Sequence, residues 1–317
     1  IGAGAFVLES YIPNQEVVLK PNPEYYDGPV CPTLEFIRIP GSQGTYDAFQ
    51  TGELQVGVLR GAKFVSEAKS DGTQGFEEII SAGSIINMNS GKSGYDGVLT
   101  DVRARQAVAH ALDRDLWDQR LAGGEGQPTS ALVAESSRFF DGQEGPAYDV
   151  EEAKRLVEEV KADKPDWDGT LELLISDGPE NVEAGVVAKA MLDAAGFNVS
   201  IVNAPVSQVT ARQFTGDYEI VIGGLAPSDA DLASTFASGM TPGGATNLTG
   251  IDDPELTAAL ADFKAAADLD AQKEALTTVQ EVYNEVMPFT ILANAEQYVV
   301  VDESVKGVVP TLSSVVL

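Results

Sequence analysis

The side chains best able to do chemistry crowd into one short stretch. DVRARQAVAHALDR (residues 101–114) carries Arg103, Arg105, His110, Asp113 and Arg114. His110 is the one histidine of the 317-residue chain, and Cys31 is its one cysteine. A histidine can act as a general base, but it needs a nucleophile on a turn that exposes it. His110 sits mid-helix between Ala109 and Ala111, with no glycine-rich elbow beside it. With one cysteine and one histidine, neither an intrachain disulfide nor a thiolate zinc cage can form. A metal site would have to be all carboxylate. Arg103 and Arg105 are two residues apart and so do not share a helix face, which speaks against a basic recognition stripe. The reading left is scaffold: these charges orient the helix against its neighbours. No catalytic residue, metal or cofactor is expected.

The composition supports this. The chain holds 49 acidic and 20 basic residues, a formal net charge of -29. Such a surface repels nucleic-acid phosphates and anionic lipid, so a nucleic-acid role is excluded. The acidity reads as solubility in a salty or crowded setting outside the cytoplasm, with steering of cationic ligands as the alternative. Hydrophobic residues make up 44%, enough for a core, and the length allows two domains. No run of apolar residues is long enough to span a bilayer. The chain opens on IGAGAFVLESY, an apolar strand-like run. This abrupt start suggests a fragment of a longer protein, because chain ends usually fray.

Residues 1–60 read as short strands (AFVLESYI, EVVLKPN, TLEFIRIP) followed by a helix over 44–54 that Gly52 ends. FEEIISAG and SIINMNS (76–90) are two further strand candidates. One helix is predicted from Thr100 to Gly123 and Gly124. Thr100 or Asp101 caps it, and Val108, Ala111, Leu112 and Leu116 line its inner face. Asp149 caps the next helix, with Ala153, Leu156, Val157 and Val160 inward. Then TLELLIS (170–176), a helix over 180–196, FNVSIVN (197–203), a short helix over 206–214 and YEIVIGG (218–224) form a strand–helix–strand–helix–strand unit. That order implies parallel neighbours with right-handed crossovers. Asp253 and Pro254 open another helix, Asp270 a further one that must end by Pro288, and FTILANAEQYVVV (289–301) returns to strand.

In open α/β sheets, ligands lie beyond the carboxyl ends of the strands. Here those ends lead into SDGPEN (176–181) and LAPSDADLAST (225–235). Ser176, Asp177 and Asn181 are candidates in the first loop. Gly223 and Gly224, before the second, permit close backbone approach by a ligand, or simply tight packing.

The stretch 101–114 also resembles the Asp-Val-Arg-x-Arg-Gln-Ala…Ala-x-Asp-Arg signature of the extracytoplasmic solute-binding proteins of ABC importers. The likeness is to the peptide/nickel-binding type that takes dipeptides and oligopeptides. GAGAFVLESY…VVLKPNPEYYDG (2–28), FQTGELQVG (49–57) and YDVEEAKRLVEE (148–159) resemble further family segments in the family's order. So do Asp-Pro-Glu-Leu at 253–256 and Glu-x-x-Pro at 285–288, so that nearly the whole chain is covered. The resemblance implies an α/β, periplasmic-binding-protein-like fold of type II, with mixed-sheet lobes and the βαβαβ unit in the second. Residues 1–88 would belong to the first lobe, 89–297 to the second, and 298–317 would cross back. Ser84–Gly91 and Ala293–Val300 are the hinge candidates, and Asn89 matches a structural family asparagine.

In the family a Trp-x-x-Asp loop faces the solute, and its Asp pairs with a peptide amino terminus. This chain departs from that pattern. The corresponding positions are Leu225, Ala226, Pro227 and Ser228, with Asp229 one residue late and Asp231 after it. Ser228, Gly224 and Leu225 are carried as candidates beside Asp229 and Asp231, either of which could hold a ligand amine by a charge-assisted hydrogen bond. Asp231 alternatively caps the helix at LASTF. The implied partners are a peptide or similar extended polar solute and a membrane ABC permease. The implied protein is a monomeric, extracytoplasmic protein, either a cell-surface lipoprotein or periplasmic. Other solutes open to the same fold are an oligosaccharide or chelated nickel. Readings from other classes are a carboxylate-driven hydrolase and a surface adhesin or receptor fragment. With half of the clamp missing, these residues alone are expected to bind solute weakly or not at all.

Overall fold

Two long antiparallel strands run side by side through the middle of the molecule, and most other elements hang from them. The computed structural model describes residues 3–13, 15–28 and 33–309. Cys31 and the end of the segment expected to cross back, 310–317, lie outside the described residues. The elements are β1 (Phe6–Ile12), β2 (Glu16–Pro21), β3 (Leu34–Ile37), α1 (Gly41–Gln50), β4 (Val56–Arg60), α2 (Ala62–Ser70) and β5 (Gly75–Met88). There follow α3 (Val102–Ala111), α4 (Arg114–Leu121), β6 (Gln127–Pro128), α5 (Val150–Asp163), β7 (Thr170–Ser176), α6 (Pro179–Ala194) and β8 (Asn198–Ala204). The chain continues through α7 (Val206–Thr215), β9 (Ile220–Gly223), α8 (Leu232–Met240), α9 (Pro254–Ala265), α10 (Leu269–Val286) and β10 (Phe289–Val301).

β1, β2 and β3 form a small antiparallel sheet. The main sheet has the order β4-β10-β5-β9-β7-β8, with β6 also pairing to β10. β7 lies parallel to both β8 and β9, as the strand–helix alternation predicts. β10 is antiparallel to β4 and β5, and β5 to β9. The mixed α/β architecture expected from the sequence is therefore present.

Two apolar clusters share this frame. Tyr46, Leu59, Val65 and Ala68 pack with Tyr298 and Val300 of β10. Ile85, Ile86 and Met88 of β5 and Phe289, Ile291 and Leu292 of β10 belong to the larger core with α3, α5, α6, α9 and α10. The inward set predicted for α5 is buried, and Asp149 accepts from Glu151 and Glu152 backbone N–H groups as its cap. Asp253 likewise caps α9, with Pro254 in its first turn.

Several expectations are corrected. FEEIISAG and SIINMNS are one strand, β5, bent at Ala82 rather than broken there. The helix predicted from Thr100 to Gly123 is two. Leu112 is extended, and the Asp113 carboxylate accepts from Leu116 N–H to start α4 afresh. This restart rotates the register, so Leu116 is exposed while Val108, Ala111 and Leu112 are buried. Of the two cap candidates for α3, Asp101 is the one used, its carboxylate accepting from Arg103 N–H as the sequence allowed. Asp268, not Asp270, caps α10 by accepting from Ala271 N–H.

The charged helix is scaffold. Arg105 is buried and donates to the carbonyls of Leu99, Thr100, Val286 and Met287. It thereby satisfies the exposed C-terminal carbonyls of α10 and fastens them to the start of α3. Burial pushes its guanidinium down to about 10, with Asp101 and Asp253 pulling it back up. Arg114 donates to the carbonyls of Ile291 and Pro146. Arg103 faces outward to Asp101 and Asp163. His110 Nδ1 donates to the Ala147 carbonyl, 2.9 Å away, tying α3 to the segment before α5. Replacing Arg105 by Ala strands these carbonyls without donors. It is expected to cost about 3 kcal/mol, read as a fall in the urea midpoint with an unchanged m-value.

Candidate functional site

The C-terminal ends of β7 and β9 lie at one edge of the sheet, because the two strands are parallel neighbours. Their following loops therefore emerge side by side, one strand spacing apart, about 4.8 Å. In the first loop Ser176 is half-buried and Asp177 exposed. Asp177 is tied by its backbone N–H to the Ala204 carbonyl of β8. Asn181 lies in the first turn of α6 and folds back over Gly178. Glu180 beside it reaches across: its Oε1 lies 3.6 Å from where a Cβ on Gly41 would stand, at the start of α1.

The second loop is anchored to β5. Leu225 N–H donates to the Ala82 carbonyl. A Cβ on Gly224 would stand 2.7 Å from the Gly83 carbonyl oxygen, so only glycine permits this approach. Of the two readings for Gly224, packing against β5 accounts for its Cβ side; its residue surface remains exposed. Ser228 closes a turn, its carbonyl accepting from Asp231 N–H and its hydroxyl from Ala230 N–H.

The two candidate carboxylates differ. Asp229 accepts from Ser137 Oγ at 2.6 Å and from Arg138 N–H at 2.9 Å, one bond to each oxygen. Arg138 Nη2 also donates to the Asp229 carbonyl at 3.0 Å. A carboxylate offers about four lone-pair sites, so Asp229 is fixed in place with acceptor capacity left over. Asp231 occupies the N-cap position of α8, but its side chain makes no capping bond. It is exposed, so capping does not explain the residue.

The segment that holds Asp229 lies in the Gly/Ser/Pro-rich stretch between the helix ended by Gly123 and Gly124 and the helix capped by Asp149, and the sequence does not single it out. Yet Ala131, Leu132, Val133 and Ala134 are all buried. Leu132 N–H donates to Gln280 Oε1, and Ala134 N–H to Ser81 Oγ of β5. That run of four apolar residues is the signal that could have marked the segment as packed. The segment joins the bend in β5 to the second loop.

At that bend the β5–β10 ladder is irregular. Ser84 faces Ala293 and Ile80 faces Ala295, leaving Ser81, Ala82 and Gly83 opposite a single β10 residue. Ala82 has φ +44°. A Cβ on Gly83 would overlap Ala295, and Asn294 Oδ1 accepts from Ala82 N–H. The irregularity thus lies at the near end of the two segments expected to cross, Ser84–Gly91 and Ala293–Val300. Asn89 is structural, as expected: it is buried, donating to the Gly216 and Tyr218 carbonyls and accepting from Gly91 and Lys92 N–H groups. Next to the bend, burial raises the Glu296 carboxyl. Gln127 hydrogen bonding and Lys69 oppose that shift, and Glu77 and Asp118 add to it.

The chain belongs to the bacterial extracellular solute-binding proteins, family 5, whose middle-region model matches residues 1–247. A Brucella abortus protein named for peptide binding by an ABC transporter is 25% identical over 98% of this chain and 60% of its own length. The substrate-binding domain of an oligopeptide ABC transporter from Bacillus anthracis superposes with TM-score 0.84 at 21% identity. It covers 98% of this chain and 62% of its own. OppA of Haemophilus influenzae, solved with the peptide RPPGFSPFR, gives 0.82 at 21%, covering 96% and 61%. The periplasmic-binding-protein-like fold is thereby established. The chain spans about 60% of the length of the curated relatives it matches. The family is one of extracytoplasmic binding proteins, and no described helix is long and apolar enough to cross a membrane.

Glu296 also yields a pH test. Its folded pKa lies above the unfolded value, so burial costs nothing while both states are protonated and the full amount once both are ionised. Glu296→Gln is therefore expected to raise the unfolding midpoint at pH 7. The gain should shrink to nothing below about pH 4, the ordinary range for Glu. Denaturant titrations of both proteins across that range provide the check.

Proposed function

We propose that this chain forms part of the solute-binding component of an ABC importer, taking peptides at the loops after β7 and β9 and presenting them to a membrane permease. Residues 1–88 and 298–317 contribute to one lobe and 89–297 to the other. The β5–β10 crossing is the hinge, and closure is stabilised by solute held between the lobes. The protein is a monomer that does no chemistry on its cargo, and it works outside the cytoplasm, as a surface lipoprotein or in the periplasm.

The observation that carries this reading is the clasp on Asp229. Ser137 and Arg138 hold a carboxylate rigidly at the strand-end edge, with lone pairs to spare. A pre-oriented carboxylate loses little freedom when it accepts from an ammonium group, which is what a peptide amino terminus offers. Asp231 and Asp177, both exposed, supply further negative charge to the same edge, and Ser176, Asn181, Ser228 and Leu225 line it.

Calorimetric titration of the full gene product against a mixed peptide pool and an oligosaccharide pool tests the proposal. Heat with peptides is expected. Asp229→Asn should weaken that binding about tenfold or more, the effect of losing one charge-assisted hydrogen bond. Heat with sugars alone would keep the importer and replace the solute, whereas silence with both would sink the reading.

A further inference from the structure

The main sheet ends in an open edge. β8 is its last strand, and among the described residues it pairs with β7 alone. Asn198 N–H donates to the Gly169 carbonyl, and the Ala204 carbonyl accepts from Asp177 N–H. Even-numbered residues of β8 therefore turn their backbone groups toward β7, and odd-numbered residues turn theirs outward. At Val199 the outer edge is closed: Asp193 of α6 accepts from its N–H, and Lys189 of α6 donates to its carbonyl. At Pro205 it ends, because proline has no N–H. Between these two stops lie the outward N–H and C=O groups of Ile201 and Asn203. Sheet edges are commonly guarded by charge, yet no residue from Ala194 to Ala211 is charged, in a chain of net charge -29. Apolar side chains flank the same stretch on both faces. Val182 and Val186 share a stripe of α6 with Lys189 and Asp193, and they are 37% and 57% exposed. A Cβ on Gly185 would lie 3.8 Å from Ile201 Cδ1, which places this stripe beside the open groups. On the other face, where Val209 of α7 packs with Val202 and Ala204, Val206 and Phe214 of α7 are exposed.

We infer that this edge pairs with the same edge of a second copy of the chain, continuing the main sheet across a two-fold axis. The inference goes beyond the solute reading and does not depend on it. Antiparallel pairing sets Ile201 against Asn203 of the second copy, and Asn203 against its Ile201. These are two hydrogen-bonded pairs, and each exchanges two backbone bonds. Val202 then meets its own counterpart on the axis. A register shifted by two residues would set Asn203 against the closed Val199, or Ile201 against Pro205. The centred register alone uses every open group. Because the axis stands perpendicular to the sheet, α6 comes beside α6 and α7 beside α7, and the four exposed apolar side chains are covered. The uncharged strip also selects the occupant. Most of this surface repels another chain of charge -29, whereas a self-complementary uncharged strip admits one. Few bonds and few apolar side chains make a small, transient interface. The single chain therefore remains the solute-binding unit and is monomeric when dilute.

Sedimentation equilibrium of the full gene product, from about 1 μM to about 1 mM, tests the pairing. Half-association is expected at about 100 μM. It should tighten at high salt, which screens the repulsion between two acidic chains. Asn203→Pro removes an outward N–H that the chain itself does not use, and by symmetry half of the backbone bonds between copies. Val186→Glu adds like charge to the apolar stripe on an exposed helix face. Each is expected to weaken association about tenfold or more, with the far-ultraviolet circular dichroism unchanged. The register is read by cross-linking in a Cys31→Ser background. Val202→Cys should form a disulfide between copies under mild oxidation, because residues on the axis stand about 4.5 Å apart at Cα. Ser200→Cys, two residues along the strand, should not. A protein that stays monomeric at the highest concentration would overturn the inference and leave the edge to some other extended segment. An association that both variants leave intact would overturn it as well, and so would Ser200→Cys cross-linking as readily as Val202→Cys.

Discussion

The antiparallel pairing of β5 with β10 is the constraint on which the rest depends. Each strand contributes to the sheet along its whole length, but the ladder is not uniform. On one side of the bend, β10 packs Tyr298 and Val300 against α1, α2 and β4. On the other, both strands enter the larger core. The bend itself is made of small residues, Ser81, Ala82 and Gly83 facing Ala293 and Ala295, and it carries a positive φ at a non-glycine. Such strain persists only where the surroundings over-determine it, and here they do. The Ala82 backbone is pinned by Asn294 on one side and by Leu225 on the other, while Ser81 holds the 131–134 segment. One bend thus fixes the strand-end loop, the buried segment and the junction between the two packed halves.

This linkage gives the candidate site its rigidity. The second loop cannot move independently of β5, because Gly224 and Gly83 approach as only glycine allows. Asp229 cannot swing, because Ser137 and Arg138 hold both oxygens. Seven of the twenty basic residues form ion pairs among the described residues, Lys154, Arg155 and Lys161 along α5 among them. Arg105 and Arg114 donate to backbone carbonyls, and Arg138 is stacked on Phe139 beside the loop edge. The few basic residues are therefore assigned by local geometry rather than spread as a general countercharge.

Much of this was legible in the sequence. The strand–helix alternation over 170–224 gave the parallel unit because apolar period and glycine stops agree there. Asp149 and Asp253 announced their helices because a carboxylate before a periodic run has few other uses. The restart at Asp113 escaped because Asp113 and Leu116 also fit a continuous helix, and only tertiary packing decides the register. The bend at Ala82 escaped for the same kind of reason: nothing local marks a strand that must serve two cores. The family's loop marks Asp229 as a candidate, but nothing in the sequence marks its hydrogen-bond partners. Ser137 and Arg138 lie 91 or more residues away in sequence, and no periodicity links them to it.

The hinge proposed at the β5–β10 crossing would be biased by solute at the strand-end loops. Spin labels on Glu67 of α2 and Ala190 of α6, both exposed, would report it most directly, with Cys31 first replaced by Ser in the full gene product. Pulsed electron resonance should give a broad distance distribution without peptide, and a shorter, narrower one with saturating peptide. An identical distribution in a sample whose peptide binding has been verified by calorimetry would contradict the claim.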